Sequence, residues 1–302
     1  MSDMWEPDPA WHPVSGGTGT STVGVWRTER SGHALVVKRI AAPGVDDPPE
    51  LSDQRHFAYW RREADVAVSR VVEATSGLRG TPLDVAEDDE GITLTREFVE
   101  DAALNGLYVA HAMGRFAGAD LGRHAWLAVD QLRDRMARVE RRGGWPTLAR
   151  TTVADVADRL WTRRETLLRE VDALPRVPQH GDPAVANLPG RDGDDVVAID
   201  WSTLGHGPVG ADLGIFLQNA REAPEPLLDA YLMGLPDGLA TPEEVALGMR
   251  VSAAYTALCR AEWALARVAG GEGALAGKYR HPAVAPYLRA LQRQFGQIEA
   301  LL

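Results

Sequence analysis

Four polar side chains stand close together in residues 177–214, the segment VPQHGDPAVANLPGRDGDDVVAIDWSTLGHGPVGADLG. They are Asp182, Asn187, Asp200 and Asp212. Phosphoryl transfer uses such groups, because one carboxylate orients the acceptor hydroxyl while an amide oxygen and a second carboxylate hold Mg²⁺ against the nucleotide phosphates. The alternative is that Asp182 only caps a turn before the following proline and that the other groups are ordinary loop residues. The pattern H-x-D-x-x-x-x-N, followed by the apolar run VVAID, favours phosphoryl transfer.

The N-terminal part contains residues of the types that bind nucleotide phosphates. Gly19 and Ser21 lie in the glycine-rich stretch SGGTGTS, whose backbone N–H groups could face phosphate, although such turns also occur without a ligand. Lys38 lies in the strand-like run HALVVKRI and is one of only two lysines, but a solvent-facing strand lysine is equally compatible with the pattern. Glu63 lies at the edge of an apolar helical stripe, where it could pair with Lys38 or, on the surface, with an arginine. The order of these parts along the chain is specific to a kinase.

These residues need a scaffold of two parts. A strand hairpin over TVGVWRTE and HALVVKRI is followed by a helix capped at Ser52 or Asp53, with an apolar stripe that includes Val68, and by two more strands. After residue 98 the pattern becomes helical. We therefore predict an α+β fold with a nucleotide-binding lobe over 1–98, a helical lobe over 99–302 and a ligand cleft between them. The remaining predicted strands are 83–86, 92–95, 185–189 and 196–200, and the predicted helices are 105–119, 124–141, 153–172, 211–221, 241–269 and 284–301.

Composition excludes several classes of partner. The net charge of −11 argues against nucleic acid and against an anionic membrane surface, since both require a basic patch. There is no apolar run of about 20 residues, and the first residues do not resemble a secretion signal, so we expect a cytoplasmic monomer or homodimer. The single cysteine, Cys259, rules out an internal disulfide, and its apolar helical surroundings predict a core residue rather than a nucleophile.

From about Gly16 to the C-terminal helices, the chain resembles the aminoglycoside phosphotransferase and choline kinase-like family, the small-molecule branch of the protein-kinase fold. HGDPAVAN is similar to the catalytic motif of that family, and AIDWSTLGHGPVGADLG is similar to its metal-binding Asp and the stretch that follows. The resemblance implies a bilobal protein-kinase-like fold, ATP or GTP as co-substrate and Mg²⁺ as cofactor. It also implies that Asp182 is the catalytic aspartate and that Asn187 and Asp200 are the metal ligands.

The same resemblance implies further roles. Lys38 and Glu63 would align the phosphates, TREFVE would be a hinge in which the backbones of Glu97 and Val99 bond a purine, and His180 and Asp212 would support the catalytic loop. One departure is that the family more often has His or Pro just before the motif Asn, where this chain has Val-Ala. This difference bears on acceptor and nucleotide preference rather than on the type of reaction.

Three functions compete on these residues. The first is O-phosphotransfer to a small-molecule hydroxyl, for example of an antibiotic, sugar or amino alcohol. The second is a peptide Ser/Thr kinase. Asp212 follows Asp200 by only twelve residues, which is too short for a long peptide-docking segment, and no A-P-E element appears. A peptide substrate bound by other surfaces is still compatible with the sequence. The third is an inactive kinase-like scaffold, which would usually have lost the lysine, the catalytic Asp or the metal Asp. The acidity of the chain is compatible with a cationic acceptor but is too diffuse to identify one, and Glu262 is either an acceptor-pocket residue or a solvated one.

Overall fold

The computed structural model of the chain describes residues 5–14, 19, 21–143, 154–269 and 284–301. Most of the predicted glycine-rich loop, residues 15–18 and 20, lies outside the described residues, and so does residue 153 at the start of one predicted helix. The phosphate-facing role of that loop therefore stays a prediction. The fold is α+β and protein-kinase-like, with a strand-rich N-terminal part followed by a mostly helical part.

The N-terminal part is built on one antiparallel sheet. The predicted hairpin is present, and Ser31 and Gly32 at its turn have φ angles of 53° and 82°, the left-handed pair that suits a two-residue hairpin turn. The strands occur in the order β1-β2-β3-β6-β5 across the sheet. Their bounds are β1 (His12–Pro13), β2 (Thr22–Arg30), β3 (His33–Ala41), β5 (Asp84–Asp88) and β6 (Gly91–Glu97).

The helix that follows the hairpin is shorter than predicted. A 3₁₀ turn covers Pro49–Leu51, and α1 extends only over Arg62–Ser69. Val68 is 68% exposed, so its predicted place in the apolar stripe is wrong. The physical reason for the late helix start is that the carbonyls of residues 54, 56 and 57 point at the Arg62 guanidinium and accept its hydrogen bonds, so residues 54–57 form a turn around that side chain instead of a continuous helix.

The second part of the chain is helical with two small sheets. Strand β7 pairs antiparallel with β10, and β9 pairs with β4 in parallel and with β8 antiparallel. The strands are β4 (Leu78–Arg79), β7 (Arg176–Gln179), β8 (Gly190–Asp192), β9 (Asp195–Val197) and β10 (Gly205–Pro208). The helices are α2 (Gly106–Phe116), α3 (Gln131–Arg141), α4 (Ala154–Asp172), α5 (Ala211–Phe216), α6 (Pro224–Gly234), α7 (Pro242–Ala269), α8 (Ala285–Arg293) and α9 (Phe295–Glu299).

Several predicted bounds in this part need correction. The strand predicted at 185–189 is a 3₁₀ turn, Val185–Asn187, because Asn187 and Leu188 donate their backbone N–H groups back to residues 184 and 185. Helix α3 begins at Gln131 rather than at 124, since Ala128 forms a bridge to Gly205 instead of a helical turn. Helix α6 and strands β4, β7 and β10 were not predicted.

The hydrophobic core consists of two clusters that meet at α1. A small cluster under the N-terminal sheet contains Ile40, Ala64, Ile92 and Leu94, and a much larger one fills the helical part. Val66, two residues after Ala64 and on a different face of α1, belongs to the larger cluster, so this helix packs against both. The predicted boundary near residue 98 stays a prediction. Within the described part of the chain, each helix is too short or too polar to cross a membrane.

Candidate active site

Lys38 lies between two carboxylates in the cleft. Its Nζ is 2.6 Å from Oε2 of Glu63 on α1 and 2.8 Å from Oδ1 of Asp200, which follows β9. The Lys38 side chain is only 14% exposed, so its charge has to be matched locally. The strand, the helix and the loop after β9 therefore meet at one ammonium group.

The charges of Lys38 and Asp200 stabilise one another. Burial opposes ionisation of Lys38, but the charges of Asp200 and Glu63 outweigh it and raise the lysine pKa above its ordinary value. Burial likewise opposes ionisation of Asp200, yet Lys38 lowers the pKa of that carboxyl to about 2. An ammonium and an ionised carboxylate therefore coexist at neutral pH, which is the state needed to bind phosphate and a divalent cation.

Asp200 has an unusual backbone conformation. Its φ of 60° lies in the left-handed region, which costs a non-glycine residue roughly 1–3 kcal/mol. The surrounding bonds hold it there: Ile199 donates its N–H to the carbonyl of Asn187, and the Trp201 indole donates to Ala198. The residue with the strained backbone is also the one whose carboxylate contacts Lys38, so this conformation directs the Asp200 side chain toward the lysine.

Buried Asp212 binds the backbone of the loop that contains His180, Gly181 and Asp182. Its two carboxylate oxygens accept the backbone N–H groups of His180 at 2.7 Å and of Gly181 at 3.0 Å. Burial raises the pKa of Asp212 to about 7, although these two hydrogen bonds favour its charged form. Gly181 has φ of 82°, and a Cβ there would lie 2.6 Å from the carbonyl oxygen of Thr203, so glycine is required at this turn.

His180 connects the catalytic loop to the strand that leads to Asp200. Its Nδ1 accepts the N–H of Asp182 at 3.3 Å, and its Nε2 lies 3.0 Å from the carbonyl oxygen of Ile199, so the neutral Nε2–H tautomer satisfies both contacts. Burial lowers the pKa of His180, which agrees with a neutral ring. The ring also packs on Trp201, with 4.6 Å between centroids. The geometry fits a positioning role and places no reacting atom on His180.

Asn187 and Asp200 suit a magnesium ion. Asn187 donates its Nδ2 to the carbonyl of Asp182 at 3.0 Å, which leaves Oδ1 as the atom able to ligate a metal. In the described part of the chain no three His, Cys, Asp or Glu side chains form a metal-binding group. One carboxylate and one amide oxygen fit Mg²⁺, which retains waters and takes further ligands from nucleotide phosphates.

Asp182 is accessible and paired with an arginine that the sequence did not indicate. Its side chain is 35% exposed, and Oδ1 accepts a hydrogen bond from Nη2 of Arg260 on α7. The same guanidinium donates through Nη1 to Oε1 of Gln218 at 3.0 Å. A candidate proton acceptor thus lies within a salt bridge beside the Lys38 group.

The predicted hinge, TREFVE at residues 95–100, begins in the last residues of β6 and continues beyond its end. Phe98 donates its N–H to Ala34, and Val99 packs against Gly190, where an added Cβ would lie 2.7 Å from the valine methyl. Nη1 of Arg96 donates to the carbonyl oxygen of Glu97 at 3.0 Å. This carbonyl is one of the two backbone groups predicted to face a purine, so a guanidinium lies beside the base position.

Arg96 also faces the cleft along the sheet. It pairs in register with Val36, and Lys38 pairs with Leu94, so Arg96 and Lys38 project on the same side of β3 and β6. Burial lowers the pKa of Arg96, and the charges of Glu63 and Asp200 oppose this shift.

The described residues of the predicted glycine-rich loop bond to the strands. The carbonyl of Gly19 accepts the N–H of Thr22, and the carbonyl of Ser21 accepts that of Ala41. These bonds tie the loop end to β2 and β3.

Comparison with known proteins identifies the family. The model of the phosphotransferase enzyme family matches residues 10–247. The chain belongs to this phosphotransferase family. No curated protein matches the sequence.

Solved structures share the fold of this phosphotransferase at low identity. A choline/ethanolamine kinase family protein from Mesorhizobium loti is 17% identical, with a TM-score of 0.56, and the match covers 95% of this chain and 92% of that one. Choline kinase LicA from Streptococcus pneumoniae is 10% identical, with a TM-score of 0.59 and coverage of 96% and 93%. APH(2″)-IIia, solved as a complex with GDP and kanamycin, is 9% identical, with a TM-score of 0.60 and coverage of 95% and 93%.

Arg62 ties the two parts of the phosphotransferase together. It is fully buried and donates to five backbone carbonyls, at 2.6 to 3.1 Å. Two of these carbonyls belong to the helical part, Trp126 and Ser202, the latter two residues after Asp200. Burial lowers the pKa of Arg62 to about 10. The sequence did not single out Arg62, because 30 of the 32 basic residues are arginines and its carbonyl partners carry no side-chain signature.

Two other predictions concern helix α7. Cys259 is buried, and burial raises the pKa of its thiol to about 12, so the prediction of a core cysteine is confirmed. Glu262 is only 2% exposed and pairs with Arg142 at 3.2 Å, which excludes the solvated alternative. Arg260 and Glu262 lie in the apolar run ALCRAEWAL. The sequence singled out Glu262, and the same signal, a charged residue within an apolar run, could have found Arg260.

Proposed function

We propose that this phosphotransferase moves the γ-phosphate of ATP or GTP to a hydroxyl of a small molecule. The observation that carries the proposal is the bridge of Lys38 to both Glu63 and Asp200, with Asp182 on the adjoining loop. These parts come from positions far apart in the chain and have no common structural need to meet. A phosphoryl-transfer site requires that arrangement.

The side chains divide the chemistry between them. Asp182 would orient the acceptor hydroxyl and accept its proton late, as the acceptor oxygen bonds to the γ-phosphorus and the β–γ bridging P–O bond breaks to release the nucleoside diphosphate. Little base strength is needed for a loose transition state, so geometry matters more than the pKa of this carboxyl. Lys38 would bind phosphate oxygens as charge shifts during transfer. Asn187 and Asp200 would hold Mg²⁺, which when bound neutralises phosphate charge.

The short segment after Asp200 favours a small acceptor over a protein. Asp200 is followed by β10 and then by α5, which contains Asp212. Strand β10 pairs with β7, so this stretch is part of the catalytic scaffold and offers no long platform for docking a peptide. The solved structures named above include choline kinases and a complex with kanamycin, which supports a small-molecule acceptor.

The test is turnover by Asp182→Asn with a mixed panel of hydroxylated antibiotics, sugars, amino alcohols and hydroxy acids. The substitution keeps the size of the side chain but removes the proton acceptor, so kcat should fall by about 10²-fold or more while the nucleotide Kd changes little. Phosphorylated product is detected with γ-³²P-labelled ATP and GTP, and nucleotide affinity by calorimetry with Mg²⁺. Unchanged turnover in Asp182→Asn would show that Asp182 is a turn residue. Failure of the unmodified protein to bind Mg²⁺-nucleotide would refute the kinase function itself.

A further inference from the structure

We propose that the acceptor carries an oxyanion, a carboxylate or a phosphate, and that Arg260 binds this group beside the reacting hydroxyl. This inference rests on the proposed function and names the substrate class of the same site. It concerns the sign of the charge that the acceptor pocket prefers. The net charge of −11 of the whole chain is compatible with a cationic acceptor, so the inference of an anionic one depends on the residues around Asp182.

Arg260 offers the donors that an oxyanion requires. The guanidinium has five N–H groups in a planar fork, and the structure engages Nη1 with Gln218 and Nη2 with Asp182. A carboxylate or phosphate on the acceptor matches that fork with two parallel charge-assisted hydrogen bonds. Because the same guanidinium contacts Asp182, an anion bound there would be held next to the carboxylate that orients the hydroxyl.

Two more arginines converge on this place from other helices. Arg293 on α8 donates through Nη2 to the carbonyl oxygen of Gln218 at 2.8 Å. Arg135 on α3 has Nη2 3.4 Å from the carbonyl of Gly181, the residue before Asp182. Among the described residues no carboxylate lies within 4 Å of the Arg135 or Arg293 guanidinium, whereas Arg260 pairs with Asp182. Helices α3 and α7 thus supply two cations at the loop of Asp182, and α8 supplies a third that contacts the backbone of Gln218, the partner of Arg260.

Local acids do not provide a site for a cation. Glu262, two residues after Arg260 on α7 and therefore on a different face of the helix, is buried and pairs with Arg142 at 3.2 Å. Asp212 lies beneath the loop and accepts two backbone N–H groups. Among the described residues, Asp182 is the accessible carboxylate beside Arg260, and the reacting hydroxyl needs that carboxylate, so an ammonium-bearing acceptor would meet the guanidinium without a second accessible acid. An anionic acceptor gains from the same charges.

Gln218 adds to the polarity of this pocket. It is 2% exposed, its Oε1 accepts from Arg260, and its buried Nε2 has no hydrogen-bond partner in the described part of the chain. An unsatisfied buried amide N–H next to a guanidinium adds a second kind of donor beside Arg260. Both features suit an oxygen-rich anion rather than an ammonium group.

The experiment compares acceptors that share a hydroxyl and differ only in charge. Glycerate and glycerol 3-phosphate form the anionic set, glycerol is the neutral member, and 3-amino-1,2-propanediol is the cationic member. The same comparison is repeated with hydroxy acids, sugar phosphates, neutral sugars and amino sugars of larger size. Transfer from labelled Mg²⁺-nucleotide is measured at fixed ionic strength, and the carboxylate and phosphate arms identify which oxyanion is used.

Variants of Arg260 assign the preference to that side chain. Arg260→Ala should raise the KM for the anionic acceptor by about 10-fold to 100-fold, the range for losing charge-assisted hydrogen bonds, and Arg260→Lys should recover only part of it. Arg169→Ala on α4 is the matched control, because it removes the same charge from an exposed site. Calorimetric Kd values for nucleotide show that each variant is folded.

The outcomes separate the two proposals. Preferential phosphorylation of anionic members, with a KM increase confined to Arg260 variants, supports the inference. If Mg²⁺-nucleotide binds but the anionic set receives no phosphate, or neutral and cationic members are used equally well, the inference is overturned. An equal rise in KM for every acceptor class would also overturn it, since Arg260 would then act only by positioning Asp182. Absence of Mg²⁺-nucleotide binding would instead overturn the proposed function.

Discussion

Arg62→Lys tests whether one buried guanidinium joins the two parts of the molecule. Arg62 supplies N–H groups to five carbonyl oxygens, whereas a lysine ammonium has three donors, so at least two of the carbonyls would lose their partner. A hydrogen bond to a charged group contributes about 1.5–3 kcal/mol, so we expect the free energy of unfolding to fall by about 3–6 kcal/mol. That is a large share of the roughly 5–15 kcal/mol that stabilises a typical domain.

The assay is equilibrium unfolding in guanidinium chloride, followed by circular dichroism. The midpoint should fall while the slope stays constant, because the surface exposed on unfolding is nearly the same. Arg70→Lys is the control: Arg70 ends the same helix, is exposed and, among the residues that the structure describes, forms its one salt bridge with Glu73 at 3.1 Å, so its replacement should cost less than about 0.5 kcal/mol. A loss below about 1 kcal/mol in Arg62→Lys, or a loss equal to that of the control, would refute the reasoning.

The same variant should affect catalysis at temperatures where it is folded. Arg62 precedes Glu63 in α1 and bonds the carbonyl of Ser202, so it fixes the helix relative to the segment that begins at Asp200. Loosening that tie should lengthen the Lys38 contacts, and kcat should fall more than nucleotide affinity. Full activity in a destabilised Arg62→Lys would confine the residue to a structural role.

Three further predictions follow from the site. Lys38→Met leaves two neighbouring carboxylates without their ammonium, so kcat should fall by at least about 10²-fold with a smaller change in nucleotide Kd, and near-normal turnover would contradict this. Arg96 donates to the hinge carbonyl where adenine would present an amino group and guanine a carbonyl, so GTP should exceed ATP in kcat/KM, with the ratio falling in Arg96→Met. The pKa of buried His180 is lowered below 6.5, so its contribution to stability is present above pH 6.5 and is lost as the pH falls. Urea unfolding from about pH 7.5 to about pH 5.5 should show the advantage over His180→Asn shrinking, and a constant difference would argue against a neutral buried ring.

The parts of the site that the sequence predicted are those that the chemistry requires in a fixed order. Lys38 meets Glu63 from 25 residues away and Asp200 from 162 residues away, and no local pattern encodes those distances. They were predictable because phosphoryl transfer needs each group once, in recognisable surroundings. The helix bounds around residues 52–61 were not predictable, because three carbonyls there accept hydrogen bonds from the Arg62 side chain, an interaction that the apolar period of the sequence does not reveal.

The net charge of the chain likewise predicts little about the charge of the acceptor site. The net charge of −11 sums over the whole surface, where most charges are solvated and screened over about 8–10 Å, and it leaves the sign of the acceptor pocket undetermined. Arg135 and Arg260 come from two helices and contact the loop of Asp182 only because those helices pack together, while Arg293 of a third helix contacts Gln218, the second partner of Arg260. In a chain with 30 arginines, composition offers no means of selecting these three, whereas their contacts with Gly181, Asp182 and Gln218 do. The charge that the acceptor site prefers is therefore set by tertiary packing around Asp182, and the acidity of the sequence as a whole does not predict it.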